Sequence, residues 1–147
     1  MLIIALALKL EGGSVFFAHQ RVGKNGRKFN CYKFRSMVPN AEQLLQQILQ
    51  NNPAMQAEWH KEHKLKDDPR ISKLGDFLRR TSLDELPQLF NVLKSDMSLV
   101  GPRPIVQDEL QKYGLEKSYY LMVRPGHLVQ NHQSGVLAQW RLLIQAA

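Results

Sequence analysis

Apolar residues along this chain change their spacing several times, and each change marks an element. The opening run, "MLIIALALKLEGG", is continuous and apolar, which predicts a buried strand or the start of a helix. It falls well short of the roughly 20 apolar residues that a membrane span needs. It also has neither the basic leading region nor the small-residue cleavage site of a secretory signal. Residues 14–37 then alternate, with aromatic and β-branched residues on both sides of Gly23-Lys24-Asn25-Gly26. Asn-Gly is a strong tight-turn signal, so this stretch predicts a β-hairpin. The period of 2 sends Lys33 and Arg35 to one face and Tyr32 and Phe34 to the other. Two cations on one face can bind an anion, but this segment by itself reads first as a solvated edge strand protected by its charge.

Helical spacing takes over from Asn40, which is placed as an N-cap with Gln43 three residues later. Leu44, Leu45 and Ile48 form the inward face. Asn51-Asn52-Pro53 breaks the helix, and "AMQAEWHKEHKL" resumes it as the second arm of a helical hairpin. Asp67-Asp68-Pro69-Arg70 reads as a turn, and residues 72–80 as a short basic amphipathic helix. A further helix is predicted behind Ser82-Leu83-Asp84-Glu85, with Ser82 as N-cap and Glu85 reaching back to it. Its buried stripe is Leu86, Leu89, Phe90 and Leu93, which leaves Asp84, Gln88 and Asn91 on the opposite face. Pro87 is awkward in such a helix, because it lacks an N–H and disturbs the turn behind it. The resulting fold class is α+β, mostly helical with an N-terminal β-hairpin, in one domain spanning residues 1–147.

Composition adds a preference for anions. Twenty Lys and Arg against thirteen Asp and Glu give a formal charge of +7, which favours nucleic acid, anionic lipid or phosphorylated metabolites. Nucleic acid is not expected, since the aromatics sit in core-like patterns instead of interleaving with cations as a stacking platform. A single cysteine, Cys31, excludes an internal disulfide and a paired-cysteine zinc site. His60 and His63 have no accompanying ligand cluster and read as a solvated helix face.

The chemistry concentrates at residues 79–104. An ionised aspartate is able to attack phosphorus once the electrophile's own charge is neutralised. Asp84 is the candidate nucleophile, Arg79, Arg80 and Arg103 are candidate phosphate ligands, and Glu85 is a candidate ligand for a Mg²⁺ bridging two phosphates. No Walker-type loop or dinucleotide glycine pattern is present.

"YKFRSM", "DPRISKLGDFLRRTSLDELPQLFNVLKSDMSLVGPRP" and "VRPG", in this order, resemble the bacterial sugar transferases, the monotopic polyprenyl-phosphate phosphoglycosyl transferases, over residues 12–126. The segment 40–66 resembles the undecaprenyl-phosphate galactose or glucose phosphotransferase branch. The resemblance implies a two-step transfer at the cytoplasmic face of the bacterial inner membrane. Asp84 attacks the β-phosphate of a UDP-sugar, and undecaprenyl phosphate then accepts the sugar-phosphate. Glu85 holds Mg²⁺, and Lys33, Arg35, Arg79 and Arg103 bind phosphate and shape the site. It also implies amphipathic helices at the membrane surface and makes residues 1–10 the remnant of a re-entrant membrane helix. Three departures from the family pattern stand out: the short apolar N-terminus, Ser95 where the family has glycine, and a divergent tail over 127–147. An inactive fragment, a non-catalytic basic module that binds membrane or nucleic acid, and a Mg²⁺-dependent aspartyl phosphatase are the competing readings. The identity of the sugar, the polysaccharide and the oligomeric state, including whether the chain forms an oligomer, stay open.

Overall fold

The computed structural model describes residues 1–62, 64–114 and 117–129. His63 and the tail beyond Val129 lie outside the described residues. The fold is α+β, with two small two-stranded sheets, and no helix among the described residues is long and apolar enough to cross a membrane. The chain forms two compact units: Met1–Phe16 with Phe34–Asp84, and Phe17–Lys33 with the chain from Glu85 onward.

The first unit is helical. The opening apolar run is a helix, α1 (Leu2–Leu10), which buries Leu8 completely and leaves Leu2, Ile3, Leu6 and Leu10 exposed. Arg35 closes its end by donating to the carbonyls of Leu8, at 3.0 Å, and Gly12. A cation at a helix C-terminus satisfies unpaired carbonyls and meets the negative end of the helix dipole. The helical hairpin forms as the spacing predicts, from α2 (Ala41–Asn51) and α3 (Pro53–Glu62). Leu45 is buried, with Leu44 and Ile48 partly covered. Asn40 precedes α2 as expected, but its side chain makes no capping bond. The break is sharper in its chemistry than the pattern implied, because Asn52 Oδ1 accepts from the amides of Ala54 and Met55 at 3.1 Å. Pro53 takes the first helical position, where its missing N–H costs nothing.

The turn at 67–70 is built on a buried pair, with Arg70 donating to both carboxylate oxygens of Asp68 at 2.8 and 2.7 Å. The Trp59 ring lies 5.0 Å from the same guanidinium. Helix α4 (Lys73–Arg80) starts at Ser72, whose Oγ accepts from the Gly75 amide at 3.0 Å. A Cβ on Gly75 would meet the Ser36 carbonyl oxygen at 1.9 Å, so only glycine lets α4 approach this segment.

The second unit holds both sheets. Strands β1 (Phe16–Val22) and β2 (Lys28–Phe34) form the hairpin, whose ends, Phe16 and Phe34, stack in the first unit. Asn25 and Gly26 both take positive φ, 58° and 77°, as the Asn-Gly turn demands. Burial along β2 falls on Phe29 and Cys31, the alternate positions that lead to Lys33. β2 is an edge strand of its two-stranded sheet as expected, but not a solvated one: the face that carries the cation is the covered one. Phe29 and Cys31 pack with Met97 and partly buried Val92, while a second cluster joins Val22, Ile105, Leu110 and Tyr120.

Helix α5 (Gln88–Leu93) departs most from expectation. Ser82 has φ +57°, outside the extended region that an N-cap needs, so the Ser82–Glu85 capping box does not form and α5 begins six residues later. The expected stripe is also inverted: Leu89, Phe90 and Leu93 are exposed, and Gln88 and Asn91 are buried. Hydrogen bonding explains the inversion, since both amides have partners inside this unit.

A sheet that residue spacing did not announce follows. Strand β3 (Ser98–Gly101) pairs in parallel with β4 (Gly126–Val129), and α6 (Gln107–Gln111) and α7 (Lys117–Met122) lie between them in the chain. A Cβ on Gly126 would lie 2.1 Å from the Gly101 backbone nitrogen, so the strands meet glycine to glycine.

Candidate functional site

The candidate acids sit in a single 3-10 turn, Leu83–Glu85. Helix α4 ends at Arg80, and Thr81 Oγ1 folds back on the Phe77 carbonyl at 2.8 Å. The left-handed Ser82 then redirects the chain. Asp84, the last residue of the first unit, is buried at 8% exposure, and Glu85 opens the second. A carboxylate is seldom this covered unless it has polar partners or a function.

Glu85 is held from within its own unit. Lys33 Nζ lies 2.5 Å from Glu85 Oε1, with both side chains about one-third exposed. Asn91, fully buried, braces the strand that carries Lys33: its Oδ1 accepts from the Tyr32 amide at 3.0 Å and its Nδ2 donates to the Asn30 carbonyl at 2.7 Å. One side chain thus replaces a missing strand neighbour and locks β2 to α5. Gln88, likewise buried, lies 3.3 Å from His127 Nδ1. Residue spacing assigned Gln88 and Asn91 to solvent. Their signal was chemical: two amides on one helical face, beside a pair of acids.

Arg35 is buried and spends its guanidinium on the end of α1, with Glu11 3.8 Å away. Arg79 Nε donates to Ser36 Oγ at 2.8 Å and stays at the surface. Arg80 makes an exposed i, i+4 pair with Asp76, an arrangement worth little. Arg103 sits 3.7 Å from Glu109, which also holds Arg21 at 3.8 Å. The Arg103 backbone is fixed by Tyr120, whose hydroxyl lies 3.3 Å from its carbonyl and 3.0 Å from that of Val22, and accepts from the Ile105 amide. Burial, in the main, pushes the Tyr120 hydroxyl up to about 12, so it stays protonated as this role requires. Residue spacing did not pick out Tyr120.

Burial also pushes the Cys31 thiol up, with Lys33 and Arg21 offsetting it only in part. A thiol held protonated is a poor nucleophile.

The profile of the bacterial sugar transferase family matches residues 1–141, and the chain belongs to that family. Among curated proteins it is 61% identical over 116 residues to the undecaprenyl-phosphate galactose phosphotransferase of Salmonella typhimurium, covering 79% of this chain and 24% of the relative. An uncharacterized sugar transferase of Haemophilus influenzae is 56% identical over 126 residues, 86% of this chain and 27% of its own length. The exopolysaccharide production protein ExoY of Sinorhizobium fredii is 48% identical over 126 residues, again 86% of this chain but 56% of the relative. The chain spans about a quarter of the first two and about half of the third.

Proposed function

We propose that this chain carries the phosphosugar-transfer chemistry of an undecaprenyl-phosphate sugar phosphotransferase serving exopolysaccharide, capsule or O-antigen synthesis. The observation that carries the reading is Asp84, a buried carboxylate joined directly to a lysine-bound Glu85 in a member of the sugar transferase family. In the first step a carboxylate oxygen of Asp84 bonds to the β-phosphorus of a UDP-sugar as the β-phosphorus–oxygen bond breaks, and UMP leaves with the bridging oxygen. In the second a phosphate oxygen of undecaprenyl phosphate attacks the same phosphorus. The product is a lipid diphosphate sugar, and the Asp84 carboxylate is freed.

The chain's cations bind and orient. Arg79 and Arg103 are the residues assigned to phosphate oxygens; each is exposed in its own unit, and the planar fork of a guanidinium suits two-pronged contact. Arg35 acts through position, by fixing the end of α1. Among the described residues no group of three or more His, Cys, Asp or Glu is suited to a metal ion. Mg²⁺ typically takes one or two carboxylates and completes its shell with substrate phosphates and water. Lys33 engages Glu85 Oε1, and Oε2 would hold the ion. Bound there, Mg²⁺ would neutralise diphosphate charge. The exposed Leu89, Phe90 and Leu93 of α5, with the apolar side of α1, support attachment to the cytoplasmic membrane surface, α1 being the chain's part of the family's re-entrant anchor.

Incubation with UDP-galactose or UDP-glucose radiolabelled in the sugar tests this reading. The label is expected on the protein, released by undecaprenyl phosphate, and absent from the Asp84→Asn chain. Glu85→Gln should lower the rate and weaken its Mg²⁺ dependence. Labelled adduct on the Asp84→Asn chain would remove Asp84 from the role.

A further inference from the structure

The second unit contains a cleft of about 200 Å³ whose lining includes none of the residues assigned above. Lys24 and Arg27 enter it from the hairpin tip, Ser95 and Asp96 from the turn after α5, and Arg124 from the loop before β4, over a buried Phe29. Arg21 and Arg103 of the same unit share Glu109, and Lys33 and Lys94 each face a carboxylate. Arg27 and Arg124, by contrast, have no carboxylate within ion-pair distance among the described residues, and neither does Lys24. Among the described residues Asp96 is the one acid lining the cleft, and it lies 3.9 Å from Lys94. Three cations therefore converge on a concavity that offers one partly engaged carboxylate. Their mutual repulsion is unfavourable unless an anion joins them.

The size of the cleft selects the anion. Small-molecule pockets run to about 300–1,000 Å³, so this one is too small for a nucleotide or a sugar nucleotide. It holds about six or seven waters at ~30 Å³ each, which is the scale of one or two phosphate groups. Two arginines with planar forks are the side chains best matched to phosphate oxygens. We propose that the cleft formed by Lys24, Arg27, Ser95 and Arg124 is a phosphate-binding subsite, taking a phosphate or diphosphate group and no role in the covalent step. The group arrives either free in solution or as the headgroup of an anionic phospholipid.

The test uses the full chain, both as it stands and as Asp84→Asn, so that phosphate held at the proposed nucleophile is not mistaken for this site. Inorganic pyrophosphate is titrated while the backbone amide signals of Gly23, Gly26 and Ser95 are followed. In parallel, flotation compares vesicles of phosphatidylcholine alone with vesicles containing phosphatidylglycerol. Saturable shifts at those amides, unchanged by Asp84→Asn and at least tenfold weaker in Arg27→Gln/Arg124→Gln, are expected. Asp96→Asn, which removes the opposing charge, should tighten binding severalfold, and Lys61→Gln, on the exposed side of α3, should leave it unchanged. Flotation only with phosphatidylglycerol, lost in the double variant, assigns the ligand to the lipid headgroup; pyrophosphate binding without flotation assigns it to a soluble phosphate. Should the double variant fail to fold, Lys24→Gln on the exposed turn is expected to weaken binding about threefold. Absence of both responses, or responses indifferent to these charge changes, overturns the proposal.

Discussion

Asn91 and Tyr32 are 59 residues apart in the chain, yet the Asn91 Oδ1 accepts the Tyr32 amide proton at 3.0 Å. The next residue along that strand is Lys33, whose Nζ lies 2.5 Å from Glu85. The amide of Asn91 therefore sets the register of the cation against the acid. Asn91→Ala leaves the Tyr32 N–H and the Asn30 carbonyl without their partner, at about 1–3 kcal/mol for each unsatisfied group. Chemical denaturation should show a loss of about 3 kcal/mol. Transfer from the UDP-sugar should fall together with it, even at temperatures where the variant remains folded.

Ser95 stops α5 with φ +62°, a left-handed conformation that glycine adopts without strain. Its amide still bonds the Val92 carbonyl at 2.9 Å, so the turn is made despite the side chain. Ser95→Gly should raise the denaturation midpoint by the equivalent of about 1 kcal/mol with an unchanged slope. An unaltered or lower midpoint would mean that the hydroxyl contributes what the backbone loses.

Asp68 and Arg70 set an acid limit on stability. Burial on its own would raise the Asp68 carboxyl, but hydrogen bonds from the Arg70 side chain and backbone, with its charge, outweigh this and hold it below the usual value. A depressed carboxyl stabilises the fold above its unfolded pKa, and that contribution is lost as pH falls through the folded one. Arg70→Met strands a buried carboxylate and should cost about 3 kcal/mol near neutrality. The gap between the variant and the parent should narrow in acid, once Asp68 is protonated in both. A gap constant with pH would show that Arg70 acts through its contact with Trp59 instead.

Gly126 is the tightest point of the parallel sheet. An alanine Cβ there would fall 2.1 Å from Gly101 N and 2.6 Å from Gly101 Cα, which are backbone atoms that cannot turn aside. Gly126→Ala should destabilise the second unit by about 3 kcal/mol or more, seen as early amide exchange in β3 and β4. The exposed Gly114, with nothing within 4 Å of an added Cβ but φ +52°, should lose only about 1 kcal/mol as alanine.

What the sequence determined by itself was local. The Asn-Gly turn and the helical hairpin broken at Pro53 follow from backbone chemistry acting over a few residues, and so they were legible. The long motifs around Asp84 and Arg103 marked the family. What only the tertiary structure decided depended on partners far along the chain. The inward face of α5 is one case: its leucines and Phe90 have the spacing of a core, but Gln88 and Asn91 take the inside because His127 and the β2 backbone offer them hydrogen bonds there. The pairing of β3 with β4 is another, since four-residue strands joined through two helices leave almost no periodic trace. The end of α1 is a third. No pattern in the sequence says that Arg35 will close it, because a guanidinium finds its carbonyls only once two segments more than twenty residues apart have been brought together.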